Sequence, residues 1–89
     1  MELSAETQKS ILARLRRAEG QVRGVQAMIE DGRPCSDVVT QFAAAIRALE
    51  QAGFKYFSAT LAECATHPEE AEANGYTPAR LEKMFMQLA

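Results

Sequence analysis

Two long runs of the sequence keep their apolar residues on one side of a helix. Ile11, Leu15, Ala18, Val22, Val25 and Ile29 recur in steps of four and three, a heptad-like stripe of the bundle or coiled-coil kind. Cys35, Val39, Phe42, Ile46, Leu49, Gly53, Tyr56, Thr60 and Cys64 keep a similar rhythm, and Leu81, Met84, Phe85 and Leu88 supply a shorter third face. The boundaries carry their own signals. Ser4 is an N-cap with Glu6 in the first turn, where a carboxylate suits the helix dipole. Gly32 provides a left-handed stop and Pro34 suits the first position of the next helix. Pro68 with Glu69, Glu70 and Glu72 closes that second helix, Asn74-Gly75-Tyr76 reads as a turn, and Thr77-Pro78 opens the last. The pattern predicts an all-α protomer of three helices, over roughly 4–31, 34–67 and 77–88.

The second stripe has a thiol near each end. Cys35 and Cys64 are 29 positions apart, which is eight turns plus about 20°, so both sulfurs share a face at a separation of about 43 Å. No disulfide or shared metal spans that length within one straight helix. A second copy packed antiparallel brings Cys35 of one chain beside Cys64 of the other and creates two identical dithiol sites. The expectation is an antiparallel four-helix-bundle homodimer, unless Gly53 folds the helix back on itself. Length points the same way, since a helical chain of 89 residues is a single domain that buries only a modest core alone. Cys35 also falls in the first turn of its helix, where open N–H groups and the dipole favour a thiolate, and Arg33 adds a positive charge nearby.

Charge narrows the partners. A net charge of −2 and a pI near 5.4 argue against a protein that coats nucleic acid by bulk positive charge, so a polyanion site must be a local patch. From Lys9 to Arg33 there are six bases against three acids. Lys9, Arg16 and Arg23 fall together opposite the first apolar stripe, with Arg17 to one side and Arg14 flanking the stripe. That arrangement fits a solvated face or a nucleic-acid surface about equally. Gly20 and Gly24, one turn apart inside the first helix, point to close approach by a partner.

No apolar N-terminal stretch resembles a signal peptide, and the uncharged run Val38–Ile46 is too short to span a bilayer, so a cytoplasmic location with no membrane partner is expected. In a reducing compartment the two cysteines read as buried thiols, metal ligands or redox-reactive groups. His67, three residues after Cys64, has the spacing of a third ligand to a soft metal such as Cu(I), and also that of a residue interacting with the helix C-terminus. Phe54, Tyr56 and Phe57 read as packing residues. A thiol or sulfur-transfer enzyme is disfavoured, because there is no Cys-x-x-Cys and no general base placed near either thiol.

Taken together, the basic segment Arg14 to Gly24, the joint Pro34-Cys35 and the late Cys64 resemble the CsoR/RcnR family of bacterial repressors over nearly the whole chain. The resemblance implies an all-helical fold, antiparallel dimers assembled as dimers of dimers, and operator DNA released when a metal ion or reactive small molecule occupies a site between subunits. Copper-sensing members place a histidine four residues before the second cysteine, where this chain has Thr60. Both cysteines without that histidine look like the persulfide-sensing CstR branch, which links the two cysteines across the interface through one or more sulfur atoms. The resemblance therefore implies Cys35 and Cys64 as a redox-sensing pair for reactive sulfur species with no cofactor, the alternative being Cu(I) on Cys35, Cys64 and His67. It disfavours formaldehyde sensing, which uses an N-terminal proline where this chain has Met1-Glu2, and nickel or cobalt sensing, which uses several histidines. Arg14 matches a helix-one position used for DNA, extended by Arg16 and Arg17. Gln51 stands where copper sensors often carry a base, which shifts the helix-two contribution to Arg47 and Lys55.

Overall fold

The computed structural model describes residues 3–89. They form four helices and no strand: α1 Ala5–Glu30, α2 Cys35–Thr66, α3 Pro68–Ala73 and α4 Pro78–Leu88. The Ser4 side chain accepts from the Thr7 N–H at 3.1 Å and starts α1. Gly32, at φ 66°, stops it. The Gly32 N–H donates to the Ile29 carbonyl and the Arg33 N–H to the Met28 carbonyl, the paired bonds of a Schellman stop. Pro34 is extended and acts as the N-cap of α2, one residue earlier in role than expected, which makes Cys35 the first helical residue.

Pro68 does end α2, but it also begins a new helix. His67, at φ −127° and ψ 65°, is the single residue between α2 and α3. Glu69 and Glu70 then sit in the first turn of α3, where the dipole favours carboxylates. A second Schellman stop at Gly75, φ 82°, turns the chain into α4, where the Thr77 hydroxyl accepts from the Arg80 N–H at 3.3 Å.

α1 and α2 form an antiparallel hairpin joined through small side chains. The buried positions are Ile11, Ala18 and Val25 on α1, against Ala45 and Ala52 on α2, each set spaced by seven residues. Gln41 reaches across to donate to the Gln21 carbonyl at 3.3 Å, and a Cβ at Gly24 would lie 3.0 Å from the Gln41 Nε2. Gly24 is therefore accounted for inside the protomer. α4 lies against α2, with the Phe85 ring 6.1 Å from those of Phe54 and Phe57, and Leu88 seated over Gly53. α2 runs uninterrupted through Gly53, so this glycine admits α4 and does not fold the helix back.

The protomer measures 54 × 26 × 13 Å. Its least dimension is close to one helix diameter, about 10–12 Å, so it is a slab with little interior. Much of each expected stripe is consequently left uncovered: Val22, Ile29, Val39, Phe42, Ile46 and Leu49 stay 45–59% exposed, and α2 packs through Ala45, Ala52 and Phe57, which lie off its stripe. Fully burying a side chain of this kind is worth about 1.5–3 kcal/mol, and the isolated slab forgoes roughly half of that at each of these positions.

Candidate functional site

The two thiols occupy opposite ends of α2 in opposite surroundings. Cys35 is exposed and Cys64 is buried, and they are not joined in a disulfide. Because α2 is one continuous helix, the separation stays at about 43 Å, and one protomer cannot bring them together. Both still project from the side of α2 that carries Val39, Phe42, Ile46 and Leu49, by the 100° advance per residue.

At the Cys35 end, Pro34 supplies no side-chain cap, so the first-turn amides of α2 receive no side-chain acceptor from it. The expected role of Arg33 is different in the structure. Its guanidinium donates to Asp37 at 3.2 Å, so the positive charge is drawn to a first-turn carboxylate rather than offered to the thiol.

At the other end, Cys64 lines an apolar groove with Leu61, Ala65, Pro68, Ala71 and Leu81, between α2, α3 and α4. The α3 helix, unforeseen in the sequence, is what shields this thiol: Ala71 is among the most buried residues of the chain. His67 is half exposed, and its Nδ1 lies 3.3 Å from a Glu63 carboxylate oxygen one turn back on α2. Thr60 donates its hydroxyl to the Tyr56 carbonyl at 3.1 Å, a bond within its own helix. Among the described residues no three His, Cys, Asp or Glu side chains converge in a way that could hold a metal ion. The two sulfurs are soft donors that lie too far apart along one α2 to share a ligand.

The basic residues gather on the far side of the slab. Gln41 meets the Gln21–Gly24 turn, and Ile11 and Leu15 line the same groove as Leu49, Ala52 and Gly53, which fixes the register of the hairpin. In that register Arg14 stands level with Gln51. By helical position, Lys9, Arg16 and Arg17 on α1 and Arg47 and Lys55 on α2 point away from the exposed apolar face. Arg14, Arg16, Arg17, Arg47 and Lys55 are all exposed. The structure thus separates an exposed apolar face, which starts at Cys35 and runs up to the edge of α4, from a basic face behind it. The Gln21–Gln41 contact that sets the register has one signal in the sequence, a glutamine among alanines on the inner side of α2.

Residues 7–88 match the family described as metal-sensitive transcriptional repressor. The chain is 45% identical over 53 residues to the copper-sensing transcriptional repressor RicR of Mycobacterium tuberculosis, covering 60% of this chain and 55% of that protein. It is 43% identical over 47 residues to the copper-sensing transcriptional repressor CsoR of Bacillus subtilis, covering 53% of this chain and 46% of that protein. The aligned part of the chain thus spans about half the length of the curated relatives it matches. Among solved structures, the copper-sensing repressor CsoR with Cu(I) from Geobacillus thermodenitrificans NG80-2 superposes with a TM-score of 0.75 and 34% identity, over 98% of this chain and 91% of that one.

Proposed function

Since the chain belongs to the metal-sensitive transcriptional repressor family, we propose that it binds operator DNA through its basic face and releases it when a dithiol between subunits is occupied. The observation that carries this reading is the uncovered apolar face of α1 and of α2 as far as Leu49, which begins at the exposed Cys35 and gives way at Gly53 to α4, beyond which Cys64 lies in its groove. A second copy laid antiparallel on that face buries Val22, Ile29, Val39, Phe42, Ile46 and Leu49 and sets Cys35 of each protomer beside the partner's Cys64. The dimer is a four-helix bundle with two equivalent dithiol sites, and two such dimers assemble as a tetramer. Arg14, Arg16, Arg17, Arg47 and Lys55 then face outward toward DNA phosphates, several times over in the assembly.

The ligand favoured by the comparisons is Cu(I), since the relatives and the solved neighbour are copper-sensing repressors. The donor set fits: two thiolates are the soft ligands Cu(I) prefers. Cys35 and the Cys64 thiolate of a second copy would hold the ion, which would supply a link between the two subunits. Cys35 supplies the accessible sulfur and Cys64 the shielded one, reached through the groove under α3. His67 remains paired with Glu63. This reading differs from the expectation of reactive sulfur as the first inducer.

Thr60 supports polysulfide as a second reading, because a threonine hydroxyl already donating to Tyr56 is a poor third donor for a soft metal. In that case the Cys35 thiolate attacks a polysulfide S–S bond and forms a persulfide, with a shorter polysulfide leaving. The partner's Cys64 thiolate then attacks the inner sulfur, expels hydrosulfide and closes a disulfide. Either event biases the assembly away from its DNA-bound form.

The test is a DNA-release titration with buffered Cu(I) and, in parallel, with polysulfide, followed by intact-mass analysis. Release by Cu(I) at low free concentration, lost in Cys35→Ser, is the expected result. Release by polysulfide alone, with a covalently linked dimer, would transfer the assignment to the second reading, and release by neither would end both.

A further inference from the structure

Gly20 sits in the middle of α1, exposed, and a Cβ added there meets no atom within 4 Å. Nothing in the protomer requires a glycine at this position, although an interior helical glycine lowers helix stability relative to alanine. Gly24, one turn later, is explained by Gln41; Gly20 is not. It also points the wrong way for the apolar interface, lying nine positions, or about 180°, from both Ile11 and Ile29 on the helix.

The neighbours of Gly20 are basic. Arg16, Arg17 and Arg23 occupy positions i−4, i−3 and i+3, which adjoin Gly20 on the helix surface, and all three are exposed. Arg23 is held by Glu19 at 3.0 Å in a solvent-exposed pair that a competing anion can open. Among the described residues neither Arg16 nor Arg17 is engaged by a carboxylate. A site with no side chain at its centre and guanidinium groups around it suits a narrow, negatively charged strand lying directly on the helix.

We infer that Gly20 is the point at which the phosphodiester backbone of DNA comes closest to α1, gripped by Arg16, Arg17 and Arg23. The inference rests on the operator-binding reading and adds to it where the duplex touches. The missing side chain lets the strand approach to backbone contact, within reach of all three guanidinium groups, and a bulky residue would hold it away with every charge still in place.

The test compares Gly20→Ala, Gly20→Leu and, as a control elsewhere on α1, Gln26→Leu. Each is titrated against a fluorescein-labelled duplex from the region upstream of the chain's own gene, at several salt concentrations. Gly20→Leu is expected to bind at least tenfold more weakly with a shallower salt dependence, and Gln26→Leu to bind like the parent. Gly20→Ala is expected to melt at a higher temperature while binding more weakly, so that stability and affinity move in opposite directions. Parent-like binding by Gly20→Leu overturns the inference and leaves operator binding intact. A changed mass for Gly20→Leu in sedimentation also overturns it, by making Gly20 a contact between protomers. If the parent chain shows no salt-dependent binding to the duplex, operator binding falls first and this inference with it.

Discussion

The two ends of α2 carry the same functional group in opposite settings. Cys35 opens the helix in solvent, beside an Arg33–Asp37 pair that keeps local charge balanced. Cys64 lies near the other end in an apolar groove roofed by α3. About 43 Å of continuous helix keeps the two thiols from forming a site within one chain. Here one sulfur is presented outward and the other is kept covered, with an apolar face between them that is open from Val39 to Leu49 and meets α4 at Gly53. That asymmetry fits a site completed by another subunit, in which the exposed thiol of one chain enters the groove of its neighbour.

The face that links the two ends is where a single substitution has the largest expected effect. Ile46→Glu places a carboxylate at the centre of the uncovered surface, where desolvating it costs several kcal/mol, and is expected to yield a monomer by sedimentation equilibrium at micromolar concentration. A dimer that survives this change would use a different face. On the other side of the slab, Arg17→Ala is expected to weaken duplex binding about tenfold at low salt, with the salt slope reduced by about 0.9 for each phosphate left without its cation. An unchanged slope would make the basic face merely solvated.

Smaller changes sharpen the Cys64 end. Thr77→Ala removes the cap of α4 and should cost about 1 kcal/mol, seen as a lower unfolding midpoint; an unaltered midpoint would mean that packing of Phe85 and Leu88 alone holds α4. His67→Ala disrupts an exposed pair with Glu63, a class of interaction worth about 0–1 kcal/mol. Stability should fall within that range and Cu(I) affinity should stay close to the parent value. A tenfold loss of Cu(I) affinity would instead make His67 a ligand.

Helix ends were legible in the sequence because each rests on a local chemical signal. Ser4, Gly32 and the Thr77-Pro78 pair all act where their side chains or backbone preferences direct. α3 was missed because it is only six residues long and buries a single one, Ala71, which leaves no period to detect. Its one marker, Pro68, has two meanings: it ends the helix before it and can start the helix after it. The apolar stripes were legible as stripes, but not their division of labour. Ile11, Ala18 and Val25 turn toward α2, whereas Val22 and Ile29, only tens of degrees round the helix, remain outside. Periodicity cannot separate the two, because a heptad stripe is wide enough to serve two neighbours at once. The cysteine spacing was legible for the same reason the helix was. The surroundings of each thiol were not, since they depend on α3 folding back and on Arg33 choosing Asp37.

The proposed switch depends on Cys35 of one subunit meeting Cys64 of another. It is tested most directly by mixing the Cys35→Ser and Cys64→Ser chains, oxidising with diamide and mapping the linked peptides by mass spectrometry. An antiparallel pair of these two chains retains one complete dithiol, so the account predicts a covalent heterodimer joined only through Cys35 and Cys64. Linkage of Cys35 to Cys35 or Cys64 to Cys64 in the parent chain, or no heterodimer from the mixture, would contradict it.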